Sequence, residues 1–153
     1  MGSMEFKPDI FDRLFKHYDP GYRYECKDNE HTWQSSDKLV WLQVSLTDGR
    51  IYFSVSLESP YNINADSRDY YIDDDGLRLV RSIAEEYLKR LDRFYVFRTE
   101  RRGLLTSRVS YKLLLNKGEG YYDLTKQSIE KVHESARIDV SGGQLLKVAN
   151  RHP

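Results

Sequence analysis

The sequence predicts a single α+β domain, with helices on one face of a mainly antiparallel sheet of about five strands, in the order α-β-β-β-α-β-β-α. Its 153 residues are enough for one hydrophobic core and few for two. Apolar residues recur at helical spacing in separate stretches, and alternating apolar runs flank the dipeptide Asp48-Gly49. We expect the domain to span residues 5–150, after a cloning remnant and initiator at residues 1–4 and before a frayed end at residues 151–153.

The segment 8–20 has apolar residues three or four positions apart, which predicts a short amphipathic helix. Its buried stripe comprises Ile10, Phe11, Leu14, Phe15 and Tyr18. A half-buried strand is predicted next, because Tyr22, Tyr24 and Cys26 alternate with charged residues. Residues 28–37 are polar and are predicted to form a loop.

The dipeptide Asp48-Gly49 predicts a hairpin, because both residues accept the positive φ angles of a two-residue type I′ turn. Such a turn pairs Thr47 with Arg50 and so determines the register of both strands. One face then carries Val40, Leu42, Val44, Leu46, Ile51, Phe53, Val55 and Leu57. The opposite face is polar apart from the rings of Trp41 and Tyr52.

The acidic run Asp73-Asp74-Asp75 introduces the longest helical pattern. Residues 59–72 before it are predicted to form a long connection with a short strand at residues 70–72. The buried stripe of the helix comprises Val80, Ile83, Ala84, Tyr87, Leu88, Leu91 and Phe94. Acids just before a helix cap its first N–H groups and face the positive end of its dipole. Capping therefore explains the acidic run better than a divalent metal ion does.

A second hairpin is predicted from strands at residues 95–100 and 105–115, joined by a turn at Arg101-Arg102-Gly103. A loop follows at residues 116–120. A third helix is predicted from the apolar spacing of Leu124, Ile129, Val132 and Ala136. A last short helix is predicted from Leu145, Leu146 and Val148.

Lysine and arginine number 24, and aspartate and glutamate also number 24, so the net charge is zero. This balance excludes a uniformly basic nucleic-acid binder and an acidic DNA mimic. The charges are nevertheless segregated along the chain. Residues 58–75 contain six acids and one base, a net charge of −5. Residues 78–112 contain ten bases and four acids, a net charge of +6.

The second hairpin carries the candidate binding residues. We expect its core face to consist of Phe97, Val109, Tyr111 and Leu113. Alternation would then send Arg98, Arg108 and Lys112 to the other face. Only Glu100 lies near them in sequence, so these cations are under-neutralised.

If both hairpins belong to one sheet, Trp41 and Tyr52 lie on this same open face, and Arg101 and Arg102 extend from the hairpin tip. Arginine and aromatic side chains dominate the energetics of protein interfaces. The same residue types contact phosphates and unstacked bases. The sequence therefore predicts a binding surface on this face.

Catalytic, cofactor and metal motifs are absent from the sequence, which predicts a protein that is not an enzyme and binds no cofactor. Cys26 and His31 form the only mixed ligand cluster, and they lack the second pair that zinc requires. A single cysteine excludes internal disulfides and fits a reducing cytoplasm. No apolar stretch approaches the roughly 18 residues of a membrane span, so no membrane partner is expected.

The leading order of helix, three strands, helix and strand resembles the core of restriction-endonuclease-like nucleases. Members of that family carry an acid and then an acid-x-Lys pair on the third core strand. The corresponding strand here, Phe53-Ser54-Val55-Ser56-Leu57, has no such pair, and Glu25-Cys26-Lys27 lies one strand too early. The resemblance therefore implies at most an inactive nuclease-like fold.

The complete predicted order also resembles the small secretion chaperones that bind extended segments of exported proteins as homodimers. This resemblance implies a homodimer, which sheet edges and the pair Tyr121-Tyr122 would support. Those chaperones are generally acidic, whereas this chain is neutral with a basic second hairpin.

The leading hypothesis is a small cytoplasmic, non-enzymatic protein-binding module that occupies a partner's surface. Phage and mobile-element proteins that inhibit or modulate host nucleic-acid machinery often have this size and lack catalytic motifs. The alternative is direct nucleic-acid binding, with the hairpin's arginines and Lys112 on phosphates and Trp41 or Tyr52 stacked on bases. The two hypotheses differ in salt dependence, because contacts with phosphates release counterions.

Overall fold

A computed structural model of the chain describes residues 7–125, 129, 131–132 and 136–148. The predictions for residues 1–4 and 151–153 lie outside these residues. The α+β class is confirmed, and the described part holds two α-helices and two antiparallel sheets of five strands each. The helices are α1 (Asp9–Tyr18) and α2 (Asp74–Lys89).

The two sheets follow each other along the chain. The first sheet contains β1 (Arg23–Lys27), β2 (Glu30–Gln34), β3 (Val40–Thr47), β4 (Arg50–Leu57) and β5 (Ile63–Tyr71), paired in that order. The second sheet contains β6 (Phe94–Arg102), β7 (Ser107–Asn116), β8 (Tyr121–Asp123), β9 (Arg137–Ile138) and β10 (Gln144–Lys147). Its strands lie in the order β10-β6-β7-β8-β9.

The register predicted for β3 and β4 is confirmed, from the pair Thr47–Arg50 to the pair Val40–Leu57. Asp48 and Gly49 both have positive φ angles, 51° and 72°. Asp48-Gly49 therefore forms the turn that the strands' right-handed twist favours. The apolar face of these two strands lies in the core, as predicted.

Two predicted irregular segments are in fact strands. The predicted loop at residues 28–37 contains β2, and the predicted connection at residues 59–72 contains β5. Strand β2 contributes one wholly buried side chain, Trp33, among polar neighbours. On β5 the buried apolar residues are only Ile63 and Ala65. Neither segment has the repeated apolar alternation by which a half-buried strand is recognised.

Both helices pack on the apolar face of the first sheet, as predicted. Helix α1 places Phe11 and Phe15 against the Trp33 ring, with centroid distances of 6.1 and 4.8 Å. Helix α2 places Tyr87 against Phe53 of β4, at 6.5 Å. The same Tyr87 ring contacts Phe94 of β6 at 6.0 Å, so α2 links the cores of the two sheets.

The acidic run before α2 caps the helix, as predicted. The side chain of Asp73 accepts a hydrogen bond from the backbone N–H of Gly76 at 2.7 Å. Asp75 pairs with Arg78 on the surface. After α2, a short 3₁₀ turn at Leu91–Arg93 leads into β6. The helix thus ends before the last two residues of the predicted buried stripe.

The C-terminal part differs from the prediction. The predicted short helix at residues 145–148 is wrong, because this segment forms β10, in which Leu145 and Leu146 pair with Phe97 and Val96. Gly143 allows the close approach, since a Cβ there would lie 2.7 Å from a ring carbon of Phe97. The predicted third helix falls largely outside the described residues, although its apolar positions Leu124, Ile129 and Val132 are buried.

Strand β8 lies between β7 and β9, so its two tyrosines, Tyr121 and Tyr122, belong to an inner strand of the second sheet. Tyr122 is buried, and the ring of Tyr121 packs edge-on against Tyr95 at 5.4 Å. Both tyrosines thus make contacts within the second sheet, and the homodimer stays a prediction. Among the described helices, none is long and apolar enough to cross a membrane.

Candidate functional site

The end of the second hairpin projects from the domain as a two-stranded ribbon, which we call the β6–β7 arm (residues 99–110). Strand β10 pairs with β6 only as far as Arg98, and β8 pairs with β7 only from Leu114 onward. Beyond those points, among the strands that the structure describes, β6 and β7 pair only with each other, from Thr99–Ser110 to Arg102–Ser107. All ten residues from 101 to 110 are exposed.

The tip of the arm is a short loop that presents two leucines to solvent. The backbone N–H of Gly103 donates to the carbonyl oxygen of Thr106 at 2.7 Å, which closes the loop. Leu104 and Leu105 between them are fully exposed. A single exposed apolar side chain is common on protein surfaces. Two adjacent, fully exposed leucines instead form an apolar patch, which none of the other described residues covers.

Five bases and one acid lie on and next to the arm. The bases are Arg98, Arg101, Arg102, Arg108 and Lys112. The acid, Glu100, lies 3.7 Å from Arg98 and 3.9 Å from Arg102. These two contacts partly neutralise one face of the ribbon.

The other face of the ribbon carries unpaired positive charge. Arg101 lies directly opposite Arg108, and Lys112 lies on the same face. Within the described residues, none of these three cations forms an ion pair. Like charges placed directly opposite each other destabilise a strand pair. The placement of Arg101 opposite Arg108 therefore does not stabilise the fold, which indicates another role for these two arginines.

The predicted division of the hairpin into faces is wrong for two residues. Arg98 pairs with Tyr111 on the core side, whereas Phe97 pairs with Lys112 on the opposite side. The predicted turn at residues 101–103 lies in reality at residues 103–106, and the pairing register depends on the turn. Phe97 is nevertheless buried, because the segment around Gly143 covers its ring.

Trp41 and Tyr52 lie on one face of the first sheet, as predicted, and Tyr52 is exposed. The premise that both hairpins share one sheet is wrong, because β3 and β4 belong to the first sheet and β6 and β7 to the second. The seven predicted binding residues therefore do not form one surface. Five lie on or next to the β6–β7 arm, and two lie on the open face of the first sheet.

The structure adds residues to both surfaces. On the open face, Tyr71 is exposed beside Tyr52, and the Arg50 guanidinium lies 4.6 Å from the Tyr71 ring centre. The hydrogen bond from Arg50 Nε to a carboxylate oxygen of Asp69, 2.7 Å long, raises the pKa of Arg50. This cluster could have been found only if β5 had been predicted. Leu104 and Leu105 were visible as paired leucines next to a predicted turn, where polar residues are usual.

Cys26 and His31 lie opposite each other on β1 and β2. The Tyr24 hydroxyl lies 2.7 Å from Nδ1 of His31, so this histidine has a tyrosine partner. Burial, together with the nearby Cys26 thiol, raises the pKa of Tyr24 to about 12. Burial lowers the pKa of His31. Among the described residues, no group of three or more metal-binding side chains is assembled.

Comparisons of the chain with protein-family models, with curated proteins and with solved structures find no match.

Proposed function

We propose that the chain is a small non-enzymatic binding protein that engages its partner through the β6–β7 arm. The observation that carries this proposal is the pair Leu104-Leu105, fully exposed at the end of a ribbon with which no other described strand pairs. Apolar surface is favourably removed from water, and exposed apolar patches mark interaction sites. A partner that covers the tip accounts for both leucines.

The arginines support the same proposal. Arg101 and Arg108 repel each other in the free protein, whereas a negatively charged partner would neutralise both. Guanidinium groups also form bidentate hydrogen bonds with carboxylates and phosphates, which gives such a contact direction.

Both hypotheses drawn from the sequence use this arm. A protein partner was the leading one, and nucleic acid was the alternative. The finer hypothesis, a phage or mobile-element modulator of host nucleic-acid machinery, stays a prediction that depends on the identity of the partner. A cytoplasmic location stays a prediction as well.

The proposal is tested by cross-linked capture from a lysate of the cells that encode the protein, with and without nuclease. We expect the double variant Leu104→Ser/Leu105→Ser to recover at least 10-fold less of the specific partner than the unchanged chain. The matched control, Ile10→Ser/Leu79→Ser, also removes two exposed apolar side chains but lies on the helices. Equal recovery by the arm variant and the unchanged chain would contradict the proposal.

A further inference from the structure

We infer that the partner of the β6–β7 arm is double-stranded DNA, with the two tip leucines inserted into the minor groove and the arginines on the flanking phosphates. This inference rests on the proposed function, since it takes the arm to be the binding element. It is carried by the distribution of charge on the ribbon, by the chemistry of the tip and by the reach of the arm.

Positive charge lies on both faces of the ribbon. Arg98 and Arg102 lie on one face, and Arg101, Arg108 and Lys112 lie on the other. A ribbon laid on a flat acidic protein surface presents only one face to it. The cations of the other face then do not contribute to the contact, although Glu100 neutralises only one of the two charges of Arg98 and Arg102. A ribbon whose tip enters a duplex groove has a row of phosphates on each side. Cations on both faces therefore favour a ribbon tip that lies in a duplex groove, between two rows of phosphates.

The composition of residues 98–112 suits contacts with phosphates. From residue 98 to residue 112 there are five bases and one acid, a net charge of +4. The other polar side chains are mainly hydroxyls, on Thr99, Thr106, Ser107 and Ser110. Contacts from arginine, lysine, serine and threonine to phosphate oxygens are the commonest hydrogen bonds between proteins and DNA.

The two leucines at the tip suit insertion between bases from the minor groove. An apolar tip has no side-chain group that can hydrogen-bond to base edges, so it is poorly suited to reading bases directly. Leucine is one of the side chains that proteins insert between base steps from the minor groove, where it unstacks them and kinks the duplex. The exposed pair Leu104-Leu105 has the position and chemistry of such a wedge.

The width of the groove makes bending part of the binding. The minor groove of B-form DNA is about 6 Å wide, whereas two strands lie about 4.8 Å apart before their side chains are counted. The tip therefore enters only where the groove is opened. Unstacking by an apolar wedge opens it and bends the duplex by about 20–90°.

The reach of the arm is consistent with this arrangement. Arg101 precedes Leu104 by three residues, and Arg108 follows Leu105 by three. Three extended residues span about 10 Å, which corresponds to about three base pairs along the duplex. The two opposed arginines can therefore contact phosphates close to the step into which the leucines insert.

The test uses the full chain and a mixed-sequence DNA duplex of about 30 base pairs, with a donor dye at one end and an acceptor dye at the other. Affinity is measured by anisotropy over a series of salt concentrations, and bending by energy transfer between the dyes. We expect the unchanged chain to bind and to bring the duplex ends closer. The slope of log K against log salt should be about −4, for four to five phosphate contacts.

Two variants separate the charges from the wedge. Arg101→Gln/Arg108→Gln should weaken binding at least 10-fold and make the salt slope shallower by about two. Leu104→Ser/Leu105→Ser should keep the salt slope but lose the change in energy transfer. The control Arg78→Gln/Arg81→Gln removes the same number of charges from helix α2 and should bind as the unchanged chain does.

Four outcomes would overturn the inference, and the last of them would overturn the proposed function as well. Binding without a change in energy transfer excludes the wedge. Tighter binding to an RNA duplex of the same sequence excludes B-form DNA, because the A-form grooves differ in width and depth. Absence of DNA binding, while nuclease-resistant capture of a protein still depends on the leucines, excludes DNA but leaves the proposed function standing. If the arm variants keep unchanged affinity for DNA and unchanged capture, both proposals fall.

Discussion

One side chain, Trp33 of β2, makes the main contacts between the first sheet and α1. The Trp33 ring is wholly buried and contacts Phe11, Phe15 and Tyr24. Its indole N–H also donates to a carboxylate oxygen of Asp12 at 3.2 Å, so the polar atom of this buried ring has a partner. Trp33 thus joins β2 to α1. It is the only wholly buried side chain of β2, so it supplies most of the packing that holds this strand on the core.

His31 next to this ring makes stability depend on pH. Because burial lowers its pKa below the ordinary value of 6.5, the unfolded chain binds the proton more readily than the folded protein does. This contribution to stability is fully present above pH 6.5 and is lost as the pH falls from 6.5 towards the lowered value. We expect the free energy of unfolding, measured with urea, to fall over that interval and to fall less in His31→Gln.

The matched control for this prediction is His17→Gln, an exposed histidine on α1. Its pH profile should parallel that of the unchanged chain. Identical pH profiles for His31→Gln and the unchanged protein would show that His31 titrates alike in the folded and unfolded states.

At the scale of elements, the start of α2 is packed closely against the end of β5. A Cβ added at Gly76 would collide with the backbone carbonyl oxygen of Tyr71. Helix propensity alone predicts that Gly76→Ala stabilises the protein by about 0.8–1.0 kcal/mol. We expect the opposite, a loss of about 1–3 kcal/mol in the free energy of unfolding, because a backbone atom cannot move aside as a side-chain end can.

The control for Gly76→Ala lies in the same helix. Ser82→Ala, at an exposed position of α2, should raise the free energy of unfolding slightly through helix propensity. If Gly76→Ala were to stabilise the protein as Ser82→Ala does, the close packing of α2 on β5 would be excluded.

Elements with a local signal could be predicted from the sequence, and those without one could not. The hairpin of β3 and β4 follows from Asp48-Gly49, and α1 and α2 follow from their apolar spacing. Strands β2 and β5 are polar, and they are strands because their neighbours in the sheet supply partners. Strand β10 contains a leucine pair that suits either structure, and pairing with β6 decides for a strand.

The candidate site was predictable in its residues but not in its geometry. Arg101, Arg102 and Arg108 lie on the projecting arm, but the first two belong to strand β6 and not to the predicted turn. The face of Arg98 and the separation of Trp41 from the arm depend on register and on the division into two sheets. Both are long-range properties that no local pattern in these segments encodes.

At the scale of the whole molecule, the two sheets share one core through α2. The Tyr87 ring contacts Phe53 of the first sheet and Phe94 of the second, and all three rings are buried. We therefore expect one cooperative unfolding transition. Replacing Tyr87 with alanine should lower the free energy of unfolding by about 3–5 kcal/mol and shift the transition of the whole protein.

Tryptophan fluorescence and circular dichroism together test this prediction. Trp33 and Trp41 are both in the first sheet, whereas circular dichroism reports on both sheets. The two signals should change at the same urea concentration in the unchanged chain and in Tyr87→Ala. Separate midpoints would show that the sheets unfold independently.

The projecting ribbon also determines where the polypeptide can be interrupted. A peptide bond broken between Gly103 and Thr106 would leave β6 on one fragment and β7 on the other. The buried ends of those strands, Phe94 paired with Leu115 and Val96 paired with Leu113, would still hold the fragments together. We therefore expect that the chain can be divided at this loop into two complementary halves whose reassembly depends on the shared core.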